Sequence, residues 1–319
     1  MGNQMNRFVR SCALACFIAF AAAAPAEAQS IDRSHRGDLL QPALGAELWM
    51  SSDSEKTGVV KLTGRALWSF EGPANYQGFD VERAWFSPEG QRAREQTRAY
   101  LDVAGAVAGI WNWSAKVGTN GSTVLGSASI RASDWSKELF VEREIVETPR
   151  GVDEGIYYSL VGASADLVSG SRDTLSAMGS VQKFTGRNAR LQLRGTYVHV
   201  LKPSLGLSIQ LRSRYFHSTV PGEFDYYSPR NFIQLIPVFQ MRRFDGAGWM
   251  YLIALGYGAQ RATGTRWQAA RLADLRLESP RSSRRLQTFA ELQFSNNSLL
   301  GAAANYSYVV ARLGLTASL

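Results

Sequence analysis

The chain has 319 residues, 45% of them hydrophobic, and carries a formal net charge of +8. Beyond its first residues it contains no uncharged apolar stretch of roughly 20 residues, the length that a membrane-spanning helix needs, which excludes transmembrane helices. Both of its cysteines, Cys12 and Cys16, lie near the amino terminus, so the remainder can hold neither a disulfide framework nor a cysteine metal site.

The amino terminus has the pattern of a secretory signal peptide. Arg7 and Arg10 precede the apolar run 13–24, which is followed by a small-residue cleavage site. We therefore expect residues 1–28 to be removed during export. In the alternative, a lipoprotein, Cys16 would carry the lipid. An exported chain is not expected to bind nucleic acid, despite its positive charge.

Alternation of apolar and polar residues follows the leader and predicts long strands. In the segment 189–201, Leu191 and Leu193 share one face while Arg190 and Gln192 occupy the other, and the pattern resumes after a tight turn. Such segments are about 10 to 13 residues long, whereas soluble strands centre near 5 or 6 and tilted membrane strands need about 9 to 11. The length favours a membrane barrel over a soluble sandwich.

The connections between the predicted strands alternate in length. Short turns are expected at 169–172, 202–204 and 244–248, and longer loops at 144–155 and 218–230. Bacterial barrels place short turns in the periplasm and long loops outside, and have even strand numbers. We predict an all-β fold, a transmembrane antiparallel β-barrel of the outer membrane over residues 42–319. It has 16 strands, or alternatively 14, behind a short periplasmic tail or plug at 29–41.

Three further stretches bear on this prediction. The region 77–96 is the least readable, and is either one long external loop or another strand. Alternation continues through 309–319 to the end of the chain, as expected of a closing strand. Aromatic residues near strand ends resemble the girdles of membrane barrels. The girdle residues are Trp49, Trp68, Trp111, Trp113, Trp249, Tyr251 and Trp267.

Two groups of segments resemble a known family. Residues 140–149 read FVEREIVETP and are followed by 154–156 and 184–190, while 224–230 read FDYYSPR and precede the strand 232–241. They are similar to the barrel domain of exopolysaccharide export porins, nearest the poly-β-1,6-N-acetylglucosamine porin and more distantly the bacterial cellulose porin. The resemblance implies polysaccharide export. Those porins carry helical repeats before the barrel, which this sequence lacks, so we expect a separate periplasmic scaffold protein as a partner.

The polar face of the strands is expected to line an aqueous lumen. The residues assigned to it are Arg190, Arg194, Gln210, Arg212, Arg214, Arg242, Asp274, Arg276, Glu291 and Arg312. One interpretation is that these charges form ion pairs that wet and stiffen the barrel. The other is that the arginine excess forms a positive strip that attracts solutes. A partly deacetylated amino-sugar polymer is cationic, so such a strip favours a neutral or anionic glycan.

The loop 218–230 carries a second candidate site. Tyr226 and Tyr227 can stack on sugar rings, with Phe224 beside them, while Asp225 and Arg230 bind hydroxyls. The alternative is a folded loop shaped by its prolines and glycine, with the tyrosines packed against a neighbouring strand.

Other functional classes are also open at this stage. A general or structural barrel without export is one. A lipid-acting enzyme would need His217 and Ser218 as a catalytic pair, but no serine motif, metal cluster or second carboxylate accompanies them. No cofactor motif is present. We therefore expect no enzyme, cofactor or metal, and the outer-membrane bilayer and a polysaccharide as partners.

Overall fold

The computed structural model describes residues 41–54, 56–280, 286–296 and 307–319. The predicted signal peptide, and the predicted tail except for Gln41, lie outside the described residues. Among the described residues, no helix combines the length and the apolar character needed to cross a bilayer.

Sixteen strands, one short helix and a single 3-10 turn make up the described chain. The strands are β1 Ala43–Asp53, β2 Gly58–Gly72, β3 Asn75–Ser87, β4 Arg94–Val107, β5 Trp111–Thr119, β6 Val124–Ala132, β7 Lys137–Ile145, β8 Tyr157–Ser169, β9 Asp173–Phe184, β10 Ala189–Lys202, β11 Leu207–Ser218, β12 Asn231–Phe244, β13 Met250–Ala262, β14 Gln268–Glu278, β15 Leu286–Ser295 and β16 Tyr308–Ser318. The helix α1 is Pro149–Glu154 and the 3-10 turn is Pro203–Leu205.

The strands form a closed antiparallel barrel. Each pairs with its neighbours in the chain, and β1 closes on β16 in a register that runs from Ala43 opposite Ser318 to Asp53 opposite Tyr308. Just beyond that seam, the Leu319 N–H donates to the carbonyl of Pro42 at 2.8 Å. The predicted all-β barrel of 16 strands is confirmed, and the alternative of 14 is wrong.

The outer face of the barrel is apolar. On β10, Leu191 and Leu193 are 45% and 48% exposed, while Gln192 between them is buried, and exposed apolar side chains recur on the neighbouring strands. Covering one such side chain with an apolar medium contributes about 1.5 to 3 kcal/mol, and a belt of them far exceeds the patches that soluble monomers show. This face therefore fits the hydrocarbon layer of a membrane.

The two rims of the barrel differ. One, which we call the turn end, carries the first and last described residues, Gln41 and Leu319, and short connections such as 73–74 and 170–172. The other, the loop end, carries the longest described connections, 146–156 and 219–230. The region 77–96, which was hard to read, is not one long loop, because it contains most of β3, a turn and the start of β4.

The aromatic girdle is present with one exception. Trp113 and Tyr251 are exposed on the outer face near the turn end, and Trp267 is exposed at the loop end. Trp49 does not belong to the girdle. It lies on the inner face, where the Lys61 ammonium sits 4.4 Å from the centre of its ring. Strand alternation explains the difference, because residues an even number apart share a face and Trp49 shares its face with Glu47.

Candidate functional site: the barrel lumen

Strand alternation places the predicted lumen residues on the inner face, opposite the exposed apolar ones. They lie on six strands: Arg190 and Arg194 on β10, Gln210, Arg212 and Arg214 on β11, Arg242 on β12, Asp274 and Arg276 on β14, Glu291 on β15, and Arg312 on β16. The barrel thus brings β10 and β11 together as the most basic part of the inner wall.

Four arginines, Arg190, Arg194, Arg212 and Arg214, form what we call the basic strip. Arg194 stands directly opposite Arg214 in the β10–β11 register, and Arg212 is the next inward residue on β11. Within the described part of the chain, none of the four forms a salt bridge with a carboxylate, and only Arg212 interacts with one, Asp274, at longer range. Like charges placed directly opposite each other destabilise a sheet, so this arrangement costs stability unless an anion occupies the strip.

The basic strip also contains unsatisfied donors. Arg190 is only 6% exposed, donates to the Tyr227 carbonyl and lies 4.6 Å from the Phe216 ring centre, yet its Nε has no acceptor. Arg214 donates from Nη2 to Gln192 at 3.3 Å, and its Nε is likewise without an acceptor. Buried cations without counter-charges are costly, and such local costs are typical of functional sites.

On β14 to β16 and β1, inner-wall arginines are paired with carboxylates. Arg312 donates to Glu47 at 2.8 Å and to Glu291 at 3.5 Å, and Arg276 pairs with Glu278. These residues fit the interpretation of ion pairs that stiffen the barrel. Asp274 shares the inner face with Arg276, and one of its buried carboxylate oxygens has no donor. Arg242 is exposed near the turn end, 5.5 Å from the Phe244 ring centre.

Two ion-pair networks on β2 to β7 were missed by the sequence analysis. In the first, Asp80 accepts from Arg65 at 2.9 Å and from Lys116 at 3.1 Å, while Asp102 accepts from Arg65 at 3.2 Å. In the sequence, this network was indicated only by the alternation of Phe79 with Asp80 inside the region 77–96, which places Asp80 on the inner face.

The second network surrounds Arg98, whose side chain is 2% exposed. It lies 3.0 Å from Glu82 and 3.6 Å from both Glu144 and Glu147. Glu147 also pairs with Lys61. The wall formed by β2 to β7 is therefore rich in carboxylates and internally neutralised, whereas the basic strip on β10 and β11 is not.

The loop 146–156 folds over the lumen. Its helix α1 begins after Thr148, whose Oγ1 accepts from the Gly151 N–H at 3.1 Å, and ends at Gly155, which adopts the left-handed conformation that glycine tolerates best. Val152 packs against buried residues on β2, β3 and β4, and Asp153 binds Arg94 at the start of β4 at 2.5 Å. The loop thus reaches from β7 and β8 to β2, β3 and β4 at the loop end.

The loop 219–230 packs onto the first loop through Asp225. One of its carboxylate oxygens accepts from the Thr148 hydroxyl at 2.6 Å, and the other accepts from the Arg150 N–H at 2.8 Å. The Phe224 ring centre lies 5.2 Å from the Arg150 guanidinium. The two loops therefore form one structural unit, and the residues that join them include two of the predicted glycan contacts.

The remaining predicted glycan contacts lie as follows. Tyr226 is 6% exposed, stacks on Phe184 with ring centres 4.3 Å apart, and accepts from Asn188, so its ring is not at the surface. Tyr227 is half-buried and meets Phe216 edge-on at 6.2 Å. Arg230 is exposed just before β12. Contact of these residues with a glycan remains a prediction.

A cavity of about 410 Å³ lies at the loop end, between the folded loops and the wall. Four tyrosines line it together with carboxylates, an amide and Arg190. The lining includes Tyr100, Tyr158, Tyr226, Tyr227, Glu142, Glu144, Gln182 and Arg190. A second cavity, of about 430 Å³, lies at the turn end and is lined in part by Glu47, Arg65, Arg276 and Arg312. Both ends of the lumen therefore offer polar, ligand-sized space.

Two carboxylates make the loops 146–156 and 219–230, which together we call the lid, sensitive to acid. Burial would raise the pKa of Glu223, but the N–H groups of Arg187 and Asn188, which donate at 2.7 and 2.8 Å, hold it below its ordinary value of 4.5. The hydrogen bond from Arg94 lowers the pKa of Asp153. A carboxyl group whose pKa is lower in the folded than in the unfolded state stabilises the fold at pH values above its unfolded-state pKa. This stabilisation is lost as the pH falls through the folded-state pKa.

We therefore expect both loops to stay folded at neutral pH and to loosen below about pH 4. Hydrogen exchange of residues 146–156 and 219–230 at pH 6 and pH 3.5, corrected for intrinsic rates, measures this. The turn 203–206, which contains no carboxylate, is the internal control and should not change. Equal protection of the loops at both pH values would contradict the expectation.

The proposed catalytic pair is not formed. Alternation along β11 places Ser218, which is 0% exposed, on the inner face and His217 on the outer face, where its Nδ1 lies 2.9 Å from Asn231 Oδ1. Neighbours on opposite faces of a strand cannot share a proton. Lipid hydrolysis by His217 and Ser218 is therefore excluded by geometry.

Comparison with known proteins addresses the fold. No family model matches the chain, and no curated protein matches it. Among solved structures, a bacterial polysaccharide outer membrane secretin is similar over 89% of this chain and 100% of its own, with a TM-score of 0.62 and 12% identity. The fold is that of an outer-membrane barrel.

Two further structures share less with this barrel. The outer membrane protein OprD from Pseudomonas aeruginosa is similar over 88% of this chain and 94% of its own, with a TM-score of 0.43 and 7% identity. OccK5 of the same organism is similar over 89% of this chain and 100% of its own, with a TM-score of 0.42 and 8% identity.

Proposed function

We propose that this chain is an outer-membrane porin that exports an exopolysaccharide. The observation that carries the proposal is the loop-end cavity of about 410 Å³, in which tyrosine rings and hydrogen-bonding side chains face the same space. Tyrosine offers an apolar ring and a polar hydroxyl, the combination that suits the faces and hydroxyls of a sugar. The polysaccharide secretin of similar fold is consistent with this assignment.

The arrangement of the cavity suits movement rather than tight capture. A transported polymer must bind well enough to enter and weakly enough to leave, which several modest contacts in series provide. Tyr100 and Tyr158 stand on the wall, Tyr226 and Tyr227 on the loop, and Gln182 supplies an amide between them. In this proposal a sugar unit passes between loop and wall.

The basic strip bears on the charge of the cargo. Its four arginines lack carboxylate partners among the described residues, so a uronate or another anionic sugar would gain charge-assisted hydrogen bonds there. A cationic polymer would be repelled. We propose a neutral or anionic glycan, which includes a fully acetylated poly-N-acetylglucosamine.

In this proposal the chain is exported to the outer membrane. Residues 1–28 direct export, 29–41 form a periplasmic tail or plug, and the barrel over 42–319 resides in the outer membrane. A separate periplasmic scaffold would deliver the polymer to the turn end, where the cavity of about 430 Å³ opens between Arg65 and Arg276.

Deletion of the gene tests the function. Secreted and cell-bound exopolysaccharide should fall to background in the deletion strain and return when the wild-type gene is supplied, because in this proposal the barrel is the polymer's route across the outer membrane. Total polysaccharide in medium and cell wash, measured by sugar analysis, is the readout. Unchanged secretion would contradict export.

A structural barrel is the second candidate. The inward-folded loops favour it, since Asp225 ties one loop to the other and Lys61 and Arg94 tie the first loop to the wall. A structural role predicts that deletion leaves polysaccharide secretion intact while the cells become sensitive to detergents. The same deletion strain therefore separates the two functions.

A further inference from the structure

An apolar groove of about 560 Å³ lies on the outer face of the barrel near the loop end. Its outward side chains are mainly valines from five strands, β5 to β9. The exposed ones are Val117, Val124, Val141, Val161 and Val181. Because this face lies against the hydrocarbon layer, the groove is a place where an acyl chain can lie along the wall.

A polar row borders the groove on its loop-end side. Arg143 on β7 pairs in register with Ser159 on β8, which pairs in turn with Lys183 on β9. The next outward row towards the turn end is Val141, Val161 and Val181 in the same register. Two cations and a hydroxyl therefore stand side by side, directly above three valines.

Glycine opens the groove beside Arg143. Gly126 is its register partner on β6, and a Cβ at Gly126 would lie 1.9 Å from the Lys116 carbonyl oxygen. No larger residue fits without moving the backbone. The outer surface is consequently indented between Val117 and Arg143, which gives the groove its depth.

Arg143 and Lys183 both keep N–H donors without an acceptor, and neither contacts a carboxylate among the described residues. Arg143 donates to Ser159 at 2.8 Å, to the Val124 carbonyl at 3.2 Å and to Thr123 at 3.4 Å, all neutral acceptors. A guanidinium has five N–H donors, so two remain. Lys183 donates to the carbonyls of Gly186 and Asn188 at 2.8 and 3.4 Å, which leaves its third donor.

The acidic side chain on the same rim is engaged elsewhere. Glu223 accepts from the backbone N–H groups of Arg187 and Asn188 and lies 3.7 Å from the Arg187 guanidinium. It forms no salt bridge with Arg143 or Lys183 within the described residues, although the charge of Lys183 also helps to lower the pKa of Glu223. Net positive charge thus remains at the level where strand ends meet lipid headgroups.

We propose that this surface is a binding site for a phosphate-bearing lipid of the outer leaflet. The headgroup phosphate lies on Arg143, Ser159 and Lys183, and an acyl chain lies along the valines beneath. Arginine and lysine recognise phosphate through charge-assisted hydrogen bonds, and basic side chains at the membrane interface attract anionic lipids. The site is independent of what passes through the lumen.

Native mass spectrometry of the purified full chain in detergent tests the site. The probe is bisphosphorylated lipid A, with dephosphorylated lipid A and inorganic phosphate as comparisons. The wild type should retain one phosphorylated lipid, and the double variant Arg143→Gln, Lys183→Gln should bind it about 30-fold more weakly, since each interfacial cation contributes about 1 kcal/mol. Arg261→Gln removes an outward cation at the loop end of β13 and should bind as the wild type does.

A second variant tests the groove without changing charge. Ala128→Leu fills the groove and should lower lipid retention while the basic row is intact. Heat-modified gel mobility shows that each variant is a folded barrel. Equal retention by the double variant, equal retention of the dephosphorylated lipid, or binding of inorganic phosphate as tight as that of lipid A would each overturn the proposal.

Discussion

Replacing Arg194 and Arg214 with glutamine is expected to reduce the anion preference of the channel by roughly tenfold in a planar bilayer. The two guanidinium groups face each other across the β10–β11 pair and have no carboxylate partner among the described residues. Removing them takes away uncompensated positive charge and also relieves their mutual repulsion. The reversal potential in asymmetric potassium chloride gives the preference directly.

Matched controls make this result specific. Arg83→Gln removes a cation on the outer face that already pairs with Glu95, so it should leave the reversal potential unchanged. Arg190→Gln removes a buried arginine of the strip that also donates to the Tyr227 carbonyl in loop 219–230. Because this variant can change both the charge and the loop, its conductance should be measured as well as its reversal potential. A wild-type channel that prefers cations would remove the basis for an anionic cargo.

Asp225→Ala is expected to open the loop end and raise single-channel conductance several-fold. It removes the acceptors of the Thr148 hydroxyl and the Arg150 N–H, both of which hold the two loops together. Hydrogen bonds to a charged group contribute about 1.5 to 3 kcal/mol each. A loss of about 3 kcal/mol multiplies the ratio of open to closed loops by roughly 150.

The control series follows from the same contacts. Asp225→Asn keeps one good acceptor and should have an intermediate effect. In the Asp225→Ala background the Thr148–Asp225 bond is already lost, so any added effect of Thr148→Val reports the helix cap that Thr148 also provides to the Gly151 N–H. Tyr226→Phe keeps the stacking on Phe184 but removes the hydrogen bond from buried Asn188, so it should raise the conductance less than Asp225→Ala does. Unchanged conductance in Asp225→Ala would show that the loops do not limit the pore.

Alternation predicts β10 and β11 well because their outward residues are almost all apolar and their inward residues polar. In β3 the same alternation is present, but Arg83 lies on the outer face and pairs with Glu95 of β4. Near the loop end the strands extend past the apolar belt, where a charge on the outer face is tolerated. Arg83 therefore interrupts the apolar–polar alternation of the sequence, and β3 is not recognisable from that pattern.

The candidate site could be predicted only where it follows from strand parity. The basic strip does, since its members are an even number of residues apart within each strand. The lid does not. Asp225 meets Thr148 at a sequence distance of 77 residues, and no local pattern encodes such a contact. Tyr226 is buried for the same reason, because its partners Phe184 and Asn188 come from a different hairpin.

The seam between β1 and β16 also shapes how the chain assembles. All other neighbouring strands in the closed order are consecutive, so they form as local hairpins, whereas Arg312 must find Glu47 across 265 positions. Late ring closure leaves two edges with unpaired backbone amides, which invite pairing with another chain. A slip of one residue would turn the inward side chains of one of the two strands towards lipid and separate Glu47 from Arg312, so this ion pair favours the correct register when the barrel closes.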